Sequence, residues 1–217
     1  KNKIHIIDLN KTISKLEEAC RSLKQIAKSG KKILFVATKK QAKSIVAESA
    51  KTLNMPYITE RWPGGLLTNF STIRKSIKKM NSIDTMKEDG TFDTLSKREK
   101  LQIERTREKL ELNFGSIENM NRIPEAIFVV DINKEHIAIA EANKLGMRSY
   151  AMVDTNTNPK LVNFPIPSND DSTKSIAKIM QIISEAIAEG LSERSKTIEE
   201  KAKIKQEKAK EILNKDN

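Results

Sequence analysis

The chain has 217 residues, with 40 Lys and Arg against 29 Asp and Glu, a formal net charge of +11 and only 4% aromatic residues. That length can bury one core of ordinary size and leave an appendage over. The single cysteine, Cys20, excludes a disulfide framework and a cysteine-rich metal site, and no apolar run approaches the roughly 20 residues that span a bilayer. Cytosolic residence is the expectation. The charge is uneven: residues 1–80 hold 18 Lys and Arg against 5 Asp and Glu, whereas residues 81–217 hold 22 against 24. An excess confined to the N-terminal third suits a polyanionic partner, nucleic acid or anionic membrane, and competes with a solvated basic face on an enzyme.

Along the chain, Ile13, Leu16, Cys20, Leu23 and Ile26 recur at spacings of 3 and 4, predicting a helix over 11–29 that Gly30 stops. Ile33 to Ala37 is apolar without alternation, as expected of a strand covered on both faces. A helix over about 39–53 follows, burying Ile45, Val46 and Leu53, and then a short strand at Tyr57-Ile58. From 70 to 120 charges dominate. Ile73, Ile77, Met80 and Ile83 form one narrow stripe and Leu101, Leu110, Phe114 and Ile117 part of another, with a turn at Lys87 to Thr91 between them. Two such helices joined by a turn describe an antiparallel hairpin standing off the body.

The strand–helix rhythm then resumes. Ala126 to Val130 runs into Asp131, a helix spans about 134–145, and Ser149 to Val153 runs into Asp154. A loop from Thr155 to Lys160 leads to a strand at Asn163 to Pro167, and a last body helix over 170–189 is capped by Asn169 or Asp170 and closed by Gly190. This predicts an α/β protein: a parallel sheet over 1–69 and 121–190 with helices on both faces, interrupted by a helical hairpin at 70–120. Residues 191–217, nearly all charge and Ala, read as an exposed helix or a tail.

Ligands of such sheets sit at the carboxyl ends of the strands. There Thr38-Lys39-Lys40-Gln41 offers a helix start and two cations to a phosphate, without the glycines of a dinucleotide or Walker loop. A nucleic-acid phosphate can use the same groups. Asp131, Asp154 and Asp171 can gather at Mg²⁺, but Asp after a strand more often caps the next helix or its own turn. His5 and His136 lie far apart and carry neither a zinc spacing nor a triad.

The most pointed stretch is Arg61-Trp62-Pro63-Gly64-Gly65 through Phe70, a rigid turn that opens the hairpin. Trp62 can stack on a base, but packing beneath the hairpin root, with Phe70 as partner, is the better reading. Beyond it, Arg74 with Lys78 and Lys75 with Lys79 are like-charge i,i+4 pairs, each costing about 0.2–0.5 kcal/mol unless an anion neutralises them. The second arm mixes signs, with Arg98, Arg105 and Arg107 among glutamates. The RNA-facing candidates are therefore Lys39, Lys40, Arg61, Arg74, Lys75, Lys78 and Lys79, with Arg98 and Arg105 behind them. No residue set calls for a metal or cofactor. A membrane-surface role needs a basic amphipathic helix with aromatic anchors, which the scattered six Phe and one Trp do not supply.

Taken in order, Asp8-Leu9 with Lys11-Thr12, Thr38 to Ala42, Arg61 to Gly65, Leu67 to Phe70, Thr72 to Ile77, Asp131 through His136, Val153 to Asn156 and Ile166 to Asp171 resemble the bacterial-type second protein of the small ribosomal subunit, over about residues 3–190. The resemblance implies a flavodoxin-like body with an inserted hairpin. It further implies a structural, non-catalytic protein, cytoplasmic and ribosome-bound, seated on small-subunit ribosomal RNA near the junction of head and body. Members help dock the first protein of that subunit, which captures messenger RNA. Neither a membrane nor a small-molecule substrate belongs to that picture. Many members carry Leu at the position of Pro63 and Gly at that of Ala37, and a Gly-His-Phe-Gly-like stretch ahead of Lys1. The rival is a flavodoxin-like enzyme with Asp131 and Asp154 at its site, which would bind a free nucleotide or flavin.

Overall fold

Apolar runs that lack alternation become the strands of a sheet buried on both faces. They are β1 (Ile33–Val36), β2 (Tyr57–Ile58), β3 (Ala126–Val130), β4 (Arg148–Val153) and β5 (Phe164–Pro167), all parallel, in the order β2-β1-β3-β4-β5. The computed structural model describes the backbone of residues 5–213 and the side chains of residues 5–200. Register aligns Phe35 with Phe128, Phe128 with Tyr150 and Tyr150 with Phe164. Because side chains alternate across a strand, these aromatics share one face. Phe35 and Phe128 meet at 5.7 Å between centroids, and Tyr150 stacks on Phe164 at 4.5 Å.

That face is covered by α1 (Leu9–Lys28), α2 (Lys43–Thr52) and α6 (Thr173–Leu213). The opposite face, carrying Leu34, Val36, Ile127 and Val129, is covered by α5 (His136–Lys144) and the root of a hairpin. The hairpin consists of α3 (Phe70–Glu88) and α4 (Lys97–Phe114), inserted between β2 and β3. Strand order 2-1-3-4-5 is the flavodoxin-like doubly wound arrangement, whose crevice lies where the order reverses, between β1 and β3.

Several elements depart from the sequence expectation, each for a local reason. Helix α1 starts at Leu9 because the Asp8 carboxylate accepts the Asn10 N–H at 3.0 Å. Its buried stripe is Thr12, Leu16, Ala19, Leu23, Ile26 and Ala27, which leaves Ile13 56% exposed and Cys20 half-buried. Thr12 takes the inner place because its hydroxyl donates to the Pro167 carbonyl at 2.6 Å. Helix α2 begins four residues later than expected, since Lys39 to Ala42 form a turn in which the Lys39 carbonyl accepts from Ala42 and Lys43. On α4, Leu101 points outward rather than into the hairpin seam.

Helix α6 does not stop at Gly190. It runs on through Leu213, and the last four residues of the expected tail, 214–217, lie outside the described residues. Gly190 serves a crossing instead: a Cβ there would lie 2.4 Å from the Lys24 carbonyl of α1. Ion pairs flank that contact, Lys24 with Glu189 at 2.9 Å and with Glu193 at 2.8 Å, and Lys28 with Glu193 at 2.9 Å. At the far sheet edge, the Ser168 N–H reaches back to Val153 in β4. Alternation then turns Pro165 and Pro167 of β5 outward, where they present no N–H, and Thr12 occupies the Pro167 carbonyl.

Candidate nucleic-acid interface

The hairpin is launched by the turn from Arg61 to Asn69. Gly65 adopts φ +82°, a conformation that glycine takes without a Cβ clash. One side chain from another element fixes this turn. Glu141 of α5 accepts the Trp62 indole N–H at 3.0 Å and the Gly65 N–H at 2.8 Å on one oxygen. Its second oxygen accepts the N–H groups of Leu67 and Thr68, at 3.0 and 3.1 Å, and the Thr68 hydroxyl at 3.1 Å. Burial alone would push the Glu141 carboxyl up, but the Trp62 indole and the backbone donors of Thr68, Gly65 and Leu67 hold it below the usual carboxylate range. Trp62 is buried with Leu66, Leu67, Ile73 and Ile77, and Phe70 packs against the same cluster. It is a packing residue, as expected, and presents no face to a base.

From that root α3 and α4 run antiparallel. Arg74 bends back to the carbonyls of Glu118 and Met120, at 3.5 and 3.3 Å, so its charge ties the two ends of the insertion together. Arg107 reaches across the seam to Asp84 at 2.7 Å, and a capping box between Ser96 and Glu99 starts α4. At the tip, Phe92 lies between the ammonium groups of Lys87 and Lys100, 5.2 and 5.6 Å from its ring centre. Lys75, Lys78 and Lys79 stand exposed on α3, Lys79 at the rim of the groove along the seam, and among the described residues they pair with no carboxylate. Arg61 and Lys40 are likewise exposed near the body. Arg98 and Arg105 are exposed too, but on the outer side of α4.

Lys39 is placed differently. Its ammonium lies in the switch-point crevice, 2.6 Å from Asp170, 2.6 Å from Asp171 and 3.2 Å from Asp131. Burial works against its charge, but the carboxylates of Asp170, Asp171 and Asp131 together raise its pKa well above the ordinary lysine value. Burial likewise pushes the Asp170 carboxyl up against the pull of Lys39, with Asp131 and Asp154 adding to the rise. Carboxylate oxygens of Asp154, Asp170 and Asp171 come within 4.8 Å of one another, and the cation at this cluster is Lys39 itself. Asp131 holds its own turn at φ +70°, accepting from Asn133 and Lys134 at 3.0 and 3.1 Å. Beside it the nearly buried Glu135 accepts the Thr38 N–H at 2.9 Å and the Thr38 hydroxyl, and Lys134 donates to the Thr38 carbonyl at 3.0 Å.

The first donors after β1, the N–H and hydroxyl of Thr38, are therefore taken by a carboxylate of the same chain. His136 sits at the exposed start of α5, its ring nitrogen 3.1 Å from the Asn133 carbonyl. Sequence reasoning missed Glu141, Glu135 and Lys134. The signal for Glu141 was a carboxylate in the buried stripe of a helix, between Ala138 and Ala142, where an unpaired charge is not tolerated.

A doubly wound body with a self-filled crevice, carrying a helical hairpin on a locked root, defines a structural scaffold rather than a reaction centre. Comparison with known proteins agrees with that class. The family model for ribosomal protein S2 matches residues 1–190, and the chain belongs to that family, which is structural and not enzymatic. It is 64% identical over 194 residues to the small ribosomal subunit protein uS2 of Flavobacterium johnsoniae, covering 89% of this chain and 76% of the relative. The uS2 protein of Flavobacterium psychrophilum is 64% identical over 195 residues, covering 90% and 73%, and that of Porphyromonas gingivalis strain W83 is 62% identical over 194 residues, covering 89% and 69%.

Proposed function

We propose that this chain is a structural component of the small ribosomal subunit in translation, ribosome-bound, which lies on ribosomal RNA through phosphate contacts and supports neighbouring ribosomal proteins. Family membership supports the setting. The observation that carries the RNA reading is the row of exposed cations on α3. Lys75, Lys78 and Lys79 are exposed there with no carboxylate partner among the described residues, while Lys24, Lys39, Lys43 and Arg107 each have one. Unneutralised cations on one helix side attract a phosphate backbone and fix position rather than read sequence. Arg61 and Lys40 extend the contact toward the body. Arg74 and Lys39 contribute indirectly, the first by holding the hairpin root and the second by closing the crevice. The resemblance to the second protein of the small subunit also supports a part in docking that subunit's first protein.

The test is the salt dependence of binding to small-subunit ribosomal RNA. Replacing Lys75, Lys78 and Lys79 together with Ala is expected to lower the magnitude of the log–log slope by roughly two to three, at about 0.7–0.9 per lost phosphate contact. The chain should also travel with small subunits in low salt and leave them in high salt. An unchanged slope would remove α3 from the interface.

A further inference from the structure

Helix α6 outlasts the body it packs on. Gly190 meets α1, and the Arg194 guanidinium lies in the space a Cβ at Gly30 would take, just past the C-terminus of α1, where a cation is favoured. Beyond that root, residues 195–200 are all exposed. The helix nonetheless continues to Leu213, so residues 195–213 add about 28 Å at 1.5 Å per residue. A helix that is polar all round holds together through opposite charges three and four residues apart. One side of this extension has them. Lys196 has Glu193, Glu199 and Glu200 within a turn, Lys203 has Glu199, Glu200 and Glu207, and Lys210 has Glu207. The other side lacks them. Arg194, Lys201, Lys205 and Lys208 follow at spacings of 7, 4 and 3, which places them on one side of the helix. Of these, only Lys208 has an acid three or four residues away, Glu211. Lys201 with Lys205 and Lys205 with Lys208 are like-charge neighbours, which oppose the helix until an anion lies across them.

Thr197, Ile198 and Ile212 share that side, and Ile204 lies at its margin. They do not make it a seat for a partner helix, which needs apolar anchors turn by turn. Ile198 and Ile212 are fourteen residues apart with Lys205 midway between them, a gap of about 21 Å at 1.5 Å per residue. Nor is this a membrane-surface helix, since residues 191–213 contain no aromatic anchor. We infer that this side of the α6 extension is a second phosphate-binding element, taking the backbone of small-subunit ribosomal RNA through Lys201, Lys205 and Lys208. Arg194, seated at Gly30, sets the direction in which the helix leaves the body, and the acid-bearing side keeps the extension helical before RNA arrives. Such a row meets phosphates as point charges, so it fixes position without reading sequence. The inference rests on the ribosomal setting above and adds a contact separate from the hairpin.

The test compares two full-length variants with the same loss of charge: Lys201→Ala with Lys205→Ala and Lys208→Ala, and Lys196→Ala with Lys203→Ala and Lys210→Ala. Alanine is the strongest helix former, so the extension persists in both. In binding to small-subunit ribosomal RNA across a salt series, the first variant is expected to lower the magnitude of the log–log slope by roughly two to three, at about 0.7–0.9 per lost phosphate contact, and the second by less than about one. Equal slopes in the two variants, or an unchanged slope in the first, overturn the inference. A second measurement places the full chain carrying Ile198→p-benzoyl-phenylalanine in cells and recovers it in small subunits. Irradiation is expected to give an adduct that ribonuclease reduces to the size of the chain. An adduct that ribonuclease leaves intact marks a protein neighbour and overturns the inference, as does no adduct from subunits that contain the chain. Each of these failures leaves the RNA reading of α3 intact. A wild-type chain that binds no ribosomal RNA and is absent from small subunits would instead overturn the ribosomal reading on which the inference stands.

Discussion

Glu141 shows how much one carboxylate can organise. Five donors converge on it, four of them from the backbone or indole of a turn that has no regular secondary structure to satisfy them. Glu141→Ala strands those donors and should cost about 3 kcal/mol or more, read as a lower midpoint in urea with a change in Trp62 fluorescence. Glu141→Gln keeps the shape but aims an NH₂ at N–H donors, so it should also destabilise. The pH dependence follows from the direction of the shift. The folded-state pKa is held down, so the stabilisation is present above the unfolded value and is lost as pH falls through the folded one. The gap in stability between wild type and Glu141→Gln should therefore narrow as pH falls from 6 toward 3; a gap that stays constant would show that the carboxylate's charge is not what holds the turn. Residue roles of this kind were only partly legible. Trp62 was readable as a packing residue because it is a lone Trp at the start of the hairpin, with Phe70 eight residues on as an apolar companion. Lys39 and Arg74 were readable as cations but not as internally used ones, because their partners at Asp170 and Met120 are 131 and 46 residues away.

At the scale of elements, periodicity located the helices and close approach determined where they end. Gly190 looked like a stop signal, since glycine is common just past a helix. It is a contact point instead, because α1 brings the Lys24 carbonyl to where a side chain would begin. Gly190→Ala gains up to about 1 kcal/mol in helix propensity but forces α1 and α6 apart. The net effect should be a loss of about 1–3 kcal/mol, visible as a lower thermal midpoint; an unchanged or higher midpoint would show that the crossing relaxes at no cost. The inner stripe of α3, Ile73, Ile77, Met80 and Ile83, was readable because all four positions are buried. On α4 the seam is thin and every apolar residue remains at least partly exposed, so spacing alone could not assign Leu101 to the correct side.

For the whole molecule, the alternation of unbroken apolar runs with amphipathic stretches made the parallel sheet legible, and the loss of that alternation over 70–120 made the insertion legible. The state of the crevice was not, because Glu135 approaches Thr38 only after β1 and β3 have paired. With that carboxylate on the Thr38 donors and Lys39 on the acids, a free nucleotide or flavin would have to displace internal contacts to enter. Titration calorimetry at millimolar ligand should show no saturable heat; a clear isotherm would restore the enzyme reading. One feature of the sheet bears on the time before the protein reaches its place. An open sheet margin is where copies of a chain could zip together before assembly. The β5 margin lacks two of its amide hydrogens at Pro165 and Pro167, and one of its carbonyls is already bonded to Thr12. A second copy would find almost no rungs to join along β5.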